Sequence, residues 1–317
     1  MEFPESVRRA VEMRAAAWQP SVLKNTSADI TRRYKSADKT GSRLIASDVD
    51  ALVYSIVRMP ATFAAVGAAL GYALETADIM PQTMLDIGSG TGAAVWAAHE
   101  LCDIKNAVCL EREGAMHRLG QELMSQCGLS GAVWEDADIT TDTKNRSAQL
   151  VCESYMLNEL SPALREEVIN KLWDSTQEIL LLVEPGTPEG FDVLRQARSQ
   201  LLEAGAHIAA PCPHEDICRI SKGDWCHFTA RVARSRLHKL IKGGDVPYED
   251  EKFAYLALSR KDVMHGGARV LRHPVTAKGR VTLSLCEKDE NREVTITKSS
   301  PLYKSARKAQ CGDMIGR

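Results

Sequence analysis

From residue 83 onward the apolar positions fall into short unbroken runs separated by longer amphipathic stretches. The segments 83–87, 107–111, 132–135, 148–153 and 179–184 are compact apolar runs and predict strands. Between them, 92–102, 114–127 and 162–175 carry helical spacing. Strand and helix alternating in this way predict an α/β fold, a doubly wound and mostly parallel sheet with helices on both faces. Upstream the pattern is helical: Leu52, Val53, Ile56 and Val57 recur at helical spacing, and an Ala/Gly-rich run continues to Leu74. Pro60 should split this stretch into two helices. After Ala268 the period changes to two, in 280–285 and 293–297, which predicts a pair of strands joined by a charged turn. Three regions follow: a helical one over 1–77, a Rossmann-like one over 78–206, and a β-rich appendage over 207–317.

At 317 residues, 44% hydrophobic and 26% charged, the chain can form one large core plus a smaller unit. No window approaches the roughly eighteen uninterrupted apolar residues of a membrane span. The first residues carry acids and no apolar run, unlike a secretory signal. Nine cysteines, an odd number, do not read as a disulfide framework, so a reducing cytoplasmic setting with metal-competent thiols is expected. Charge is distributed unevenly. Residues 1–45 hold nine basic against five acidic side chains, 46–206 hold ten against twenty-four, and 207–317 hold twenty-one against thirteen. Basic ends around an acidic middle suggest a polyanionic partner such as RNA.

The segment Met84-Leu85-Asp86-Ile87-Gly88-Ser89-Gly90-Thr91-Gly92 reads as a buried strand breaking into a glycine turn and then a helix. In open α/β sheets ligands bind beyond the carboxyl ends of the strands, and glycines let backbone approach a nucleotide-like ligand closely. The spacing differs from the dinucleotide fingerprint and resembles the first motif of class I S-adenosylmethionine-dependent methyltransferases. That resemblance implies a cofactor site on Asp86, Gly88, Ser89, Gly90 and Gly92. It also implies Glu111 on the ribose hydroxyls, where a carboxylate can accept two bonds at once. Asp136 or Asp138 takes the adenine-facing position, with Asp136 preferred. The fourth strand leads into Glu153-Ser154-Tyr155-Met156-Leu157-Asn158, where amino-methyltransferases often carry Asn/Asp-Pro-Pro-aromatic. That motif is missing, and no catalytic residue stands out.

Cys212, Cys218 and Cys226 fall within fifteen residues, and Cys286 ends a later apolar run. Four thiolates are a soft ligand set for zinc or an iron–sulfur cluster. The gaps between them are five, seven and fifty-nine residues, wider than the tight pairs of structural zinc, and fit a larger cluster better. His214 and His227 could replace one cysteine in a zinc alternative. Pro211-Cys212 also matches the Pro-Cys nucleophile of RNA cytosine-5 methyltransferases, although ligation is the better role for Cys212. The remaining cysteines, Cys102, Cys109, Cys127, Cys152 and Cys311, read as core or incidental thiols.

Longer motifs add a resemblance to one family. The segments 181–191, 205–214, 224–228 and 249–255 resemble the methyltransferase-like assembly factors of the mitochondrial ribosomal small subunit, which also have bacterial members. The resemblance implies S-adenosylmethionine on the central region, a [4Fe–4S] cluster on the four cysteines, and engagement of small-subunit rRNA during maturation. Arg231, Arg234, Arg236, Lys239 and Lys242 follow the cysteines in one basic segment expected to be helical, and Lys304, Arg307 and Lys308 form another. Such groups can neutralise phosphates without reading bases. Two functions are consistent with these residues: an rRNA methyltransferase, or an assembly factor that uses the methyltransferase fold as a binding platform.

Overall fold

The computed structural model describes residues 1–35, 44–264 and 266–316. Four helices open the chain: α1 (Glu5–Ala15), α2 (Pro20–Lys35), α3 (Asp48–Val57) and α4 (Met59–Ala77). The break between the last two falls at Arg58, with Pro60 in the first turn of α4, where its missing N–H costs no helical bond. Ser47 starts α3 by accepting a hydrogen bond from the backbone N–H of Asp50. No single helix among the described residues is long and apolar enough to cross a membrane. The bent pair α3 and α4, 51° apart, passes that test only when taken together, and its apolar residues lie in the core.

The alternating part follows: β1 (Thr83–Ile87), α5 (Ala93–Leu101), β2 (Asn106–Leu110), α6 (Gly114–Cys127), β3 (Ala132–Glu135), β4 (Ala148–Ser154), α7 (Pro162–Asp174), β5 (Thr176–Pro185) and α8 (Pro188–Glu203). β6 (His207–Ala210), β7 (Phe228–Ala233), α9 (Arg236–Lys242) and β8 (Tyr248–Ser259) come next. Strands run in the order β3-β2-β1-β4-β5-β8-β6, with β7 also paired to β8. The first five are parallel, and β8 is antiparallel to β5, β6 and β7. This is the mostly parallel α/β sheet that the alternation of strands and helices predicts.

The run Ile179-Leu180-Leu181-Leu182-Val183 shows why apolar runs of this kind become central strands. Ile179, Leu181 and Val183 enter the core beneath α4 and α5, whereas Leu180 and Leu182 enter the core beneath α7 and α8. A strand buried on both faces has no polar positions to alternate with.

The structure corrects two expectations. The boundary placed at residue 206 falls inside the sheet, because β6, β7 and β8 belong to it. The basic segment expected to be helical starts as strand β7, whose Phe228, Ala230 and Val232 face inward, and becomes helical only at Arg236.

The separate C-terminal layer begins with β9 (Ala268–Val270) and continues through β10 (Val275–Ala277), β11 (Arg280–Cys286), β12 (Asn291–Thr297), α10 (Tyr303–Ala306) and β13 (Met314–Ile315). Val281, Leu283 and Leu285 of β11 point into a small core with Val270, Ile296 and Ala306. Cys286 ends that strand and packs instead toward Phe191, Ile220 and Leu271 at the border with the main sheet.

Candidate functional site

β1 ends at Ile87, and Gly88, Gly90 and Gly92 follow with φ of 67°, 58° and 87°. Side-chain-bearing residues are strained in this left-handed region, so the glycines set the path of the turn. The backbone N–H groups of Gly88 and Ser89 both donate to the carbonyl of Leu110, at 2.9 and 3.0 Å, which ties the turn to the end of β2. One residue on, Glu111 accepts from the N–H of Gly90 at 2.6 Å and from that of Glu113 at 2.7 Å. Burial pushes its pKa up to about 7, and these backbone hydrogen bonds oppose the rise. Two carboxylate oxygens offer about four acceptor positions, so Glu111 keeps capacity for a ligand's hydroxyls.

The turn and Glu111 border a cavity of about 600 Å³. Gly88, Gly90 and Glu111 line it, as does Asp138 beyond β3; Ile30, Tyr34 and Tyr54 of α2 and α3 form its outer wall. Asp138 is held by the N–H and hydroxyl of Thr140, at 2.9 and 2.6 Å, and pairs with Arg112 at 3.3 Å. Asp136, the preferred sequence candidate, is exposed and outside the lining. Asp86, Ser89 and Gly92 shape the turn from behind. The carboxyl of Asp86 is fully buried without a hydrogen-bond partner, and burial raises its pKa to about 7.

At the end of β4 the chain makes a turn that no sequence motif announced. Tyr155 adopts φ 65°, a strained conformation for a tyrosine, while its N–H still bonds to Val183. Its hydroxyl donates to Glu251 at 3.0 Å, and Arg58 forks onto the same carboxylate at 2.9 and 3.2 Å. Behind this wall sit two fully buried acids. Glu153 accepts from the N–H groups of Met156 and Leu157, and Glu184 accepts from the backbone and side-chain amide of Asn158. Burial raises both pKa values, that of Glu184 to about 7. Tyr155, Asn158 and Arg58 also line the cavity. Sequence reasoning found the position but could not choose among its residues, because Arg58 and Glu251 arrive from distant parts of the chain.

The four cysteines come together elsewhere. Cys212, Cys218, Cys226 and Cys286 line one chamber of about 50 Å³, with Arg198 and Arg269 in its wall. All four are free thiols. Burial pushes Cys286 up to about 12, with further upward pushes from Cys212 and Cys218, and raises Cys226 well above the ordinary thiol range. Among the described residues no three His, Cys, Asp or Glu side chains lie close enough to hold a metal ion. His214 brings its Nε2 to 3.8 Å from the Cys286 sulfur, whereas His227 stacks on Trp225. The indole N–H of Trp225 donates to the carbonyl of Gly186, anchoring the cysteine loop to the end of β5.

The basic residues differ in exposure and in their acidic partners. Arg231 forks onto Asp250 at 2.7 and 3.0 Å and stacks on Tyr248, and Arg234 pairs with Glu249 at 2.8 Å. Lys242 reaches the cavity lining from α9. Arg236 on α9 and Lys304, Arg307 and Lys308 around α10 are exposed; Lys239 is half-buried.

Residues 48–316 match the family described as mitochondrial small ribosomal subunit Rsm22. The chain belongs to the Rsm22 family. It is 28% identical over 287 residues to the human mitochondrial ribosome assembly protein METTL17, an alignment covering 83% of this chain and 62% of that protein. It is 23% identical over 326 residues to an Rsm22-cox11 tandem protein of Schizosaccharomyces pombe, covering 85% of this chain and 43% of that one. The chain therefore spans roughly two-fifths to three-fifths of the length of these relatives. Among solved structures it resembles the magnesium protoporphyrin IX methyltransferase of Synechocystis, at 10% identity, 73% and 91% coverage and a TM-score of 0.43. It also resembles a ribosomal protein L11 methylase of Lactobacillus delbrueckii, at 15% identity, 61% and 77% coverage and a TM-score of 0.38. Both likenesses are too loose to bear on chemistry. In this Rsm22-family chain the cavity and the chamber are separate features, and β8 contributes to both: Glu251 holds the Tyr155 wall, while Ala254, Tyr255 and Leu256 line the chamber.

Proposed function

We propose that this Rsm22-family chain acts in small-subunit ribosome assembly as an S-adenosylmethionine-binding protein and rRNA methyltransferase, with a [4Fe–4S] cluster on its four cysteines. The observation that carries the cofactor reading is the cavity bounded by Gly88, Gly90 and Glu111. There the glycine turn leaves backbone exposed to a ligand, and the Glu111 carboxylate suits a ribose diol. Asp138 rather than Asp136 takes the adenine-facing role in this reading, because it lines the cavity. The cofactor supplies the electrophilic methyl group; the protein holds it and positions an rRNA base by proximity, with the Tyr155 wall at the acceptor end.

For the cysteines, a multi-atom cluster suits the donor set better than a single ion. The reading rests on four thiols lining one chamber and on the wide gaps between them in sequence, which suit a larger cluster better than the tight pairs of structural zinc. Cluster ligation would join the 212–226 loop to β11 and fix how the C-terminal layer sits on the sheet. The exposed Lys304, Arg307 and Lys308 offer phosphate contacts for rRNA, and the free thiols suit a reducing, cytoplasmic setting.

A second reading, assembly without methyl transfer, is favoured by the acceptor end of the cavity, where Tyr155 is already engaged by Arg58 and Glu251 and no Asn-Pro-Pro motif presents a nucleophile's partner. Glu111→Ala separates the two. Loss of one rRNA methyl mark with subunit association intact supports the enzyme. An unchanged methylation map despite lost cofactor binding, read by calorimetry, leaves the platform.

A further inference from the structure

Two arginines at the cysteine chamber are buried with no ion pair to an acid among the described residues. Arg198 of α8 is 6% exposed, and Arg269 of β9 is 3% exposed. Arg198 donates through Nη2 to the carbonyls of His214 and Asp216, at 3.1 and 2.6 Å, and its Nε has no partner. Arg269 donates to the carbonyls of Pro211 and Gly312, both at 2.6 Å, and lies 5.4 Å from the ring centre of Tyr72. Their hydrogen-bond acceptors are neutral: backbone carbonyls for both and, for Arg198, the Cys212 thiol as well. Arg165 and Arg260 also donate to backbone carbonyls, but they are only partly buried, whereas Arg58, Arg234 and Arg272 pair with Glu251, Glu249 and Asp224. A buried cation without a counter-ion is costly, and a fold retains it where something negative comes to it.

Among the described residues, the chamber both arginines line holds four thiol groups and no acidic side chain. Four thiolates outweigh the charge of a zinc ion, or of an oxidised four-iron core, by about two. Two guanidinium groups match that excess. We propose that Arg198 and Arg269 are the built-in counter-ions of a thiolate-ligated metal centre on Cys212, Cys218, Cys226 and Cys286, holding its negative charge in the protein interior. The proposal rests on the cysteine-ligation reading above and adds to it the charge of the ligand and the residues that balance it. For an iron–sulfur cluster, two buried cations also make the added electron of reduction easier to accommodate.

Arginines that merely clamped the backbone at His214, Asp216, Pro211 and Gly312 would behave differently, and the full chain purified without oxygen distinguishes the two roles. Arg198→Met and Arg269→Met remove the charge; Arg198→Lys keeps it while losing the planar fork. Counter-ion action predicts metal loss to a chelator on the order of tenfold faster in both Met variants. It also predicts reduction at a more negative potential, with Arg198→Lys close to the parent. Metal-free protein should lose no thermal stability from Arg198→Met, since that change removes an unbalanced buried charge. Equal destabilisation of the loaded and metal-free forms, with potential and chelation rate unchanged, overturns the proposal. If the parent protein binds zinc and is colourless, chelation rate and the paired melts decide in the same way. A parent protein with neither iron nor zinc overturns the cysteine reading itself, and that outcome is visible before any arginine is changed.

Discussion

The cavity at the glycine turn and the cysteine chamber have opposite electrostatic characters. Around the first, Glu111 lines the wall, and Asp86, Glu153 and Glu184 lie buried behind it with raised pKa values. Around the second, the buried unbalanced charges are arginines. A fold tolerates such groups where a ligand of the opposite sign compensates them. The acids fit a sulfonium cofactor, which is cationic, and the arginines fit an anionic metal–thiolate centre. The contrast teaches that buried charge is segregated by sign in this fold, hydrogen-bonded acids around the glycine turn and arginines around the cysteines.

The largest expected effect breaks one half of this contrast alone. Cys226→Ser should abolish metal retention, from about four irons per chain to near none by elemental analysis, and leave cofactor affinity in place. Retained metal would remove Cys226 from the ligand set. Next, Glu111→Ala should weaken S-adenosylmethionine binding on the order of a hundredfold by calorimetry, since two hydrogen bonds to a charged group disappear, with metal content unchanged.

The acids also give the cavity a pH dependence that the arginines cannot give the chamber. Asp86, Glu111 and Glu184 titrate near 7 when folded against reference values of 3.8 for Asp and 4.5 for Glu. Between those limits the folded protein holds protons that the unfolded chain has released. Stability of the ligand-free protein should therefore fall as pH rises from about 4.5 to about 7, and Glu153, raised further by burial, extends the fall above that range. Saturating S-adenosylmethionine should flatten the slope in a thermal melt. A flat profile without ligand would mean that the acids are compensated already.

Smaller still, Glu251→Ala should cost about 2 kcal/mol in denaturant unfolding, because Arg58 and the Tyr155 hydroxyl lose their common partner. The smallest effect tests the surface. Lys304→Ala with Arg307→Ala should lower the slope of rRNA affinity against salt by roughly one unit for each phosphate that is no longer neutralised. Arg231→Ala should change it little, because that charge is already committed to Asp250.

The parts legible in the sequence were the contiguous ones. The strand, the glycine turn and Glu111 occupy short segments whose order dictates their geometry, and the closely spaced cysteines pointed to one another. The choice between Asp136 and Asp138 was not legible, since two residues in one loop differ only in which way the tertiary structure turns them. Nor was β7: its basic residues read as one helix until the ladder places Arg231 opposite Asp250 and Val232 opposite Glu249. Arg58, Tyr155 and Glu251 meet across separations of 193 and 96 residues, where no local periodicity can speak. The buried arginines were invisible for a related reason: a lone Arg in a helix or strand reads as surface until its neighbours are known.

β8 has a consequence for how the chain is made. The parallel half of the sheet ends at β5, whose outer edge is covered only by β8, from a segment far downstream. Until residues 248–259 have left the translating ribosome, Ile179 to Val183 border an open row of backbone donors and acceptors flanked by apolar side chains. Such an edge readily pairs with another chain. A chain truncated before Tyr248 keeps that edge for its lifetime, so premature termination in the basic segment should yield aggregates rather than a smaller working domain.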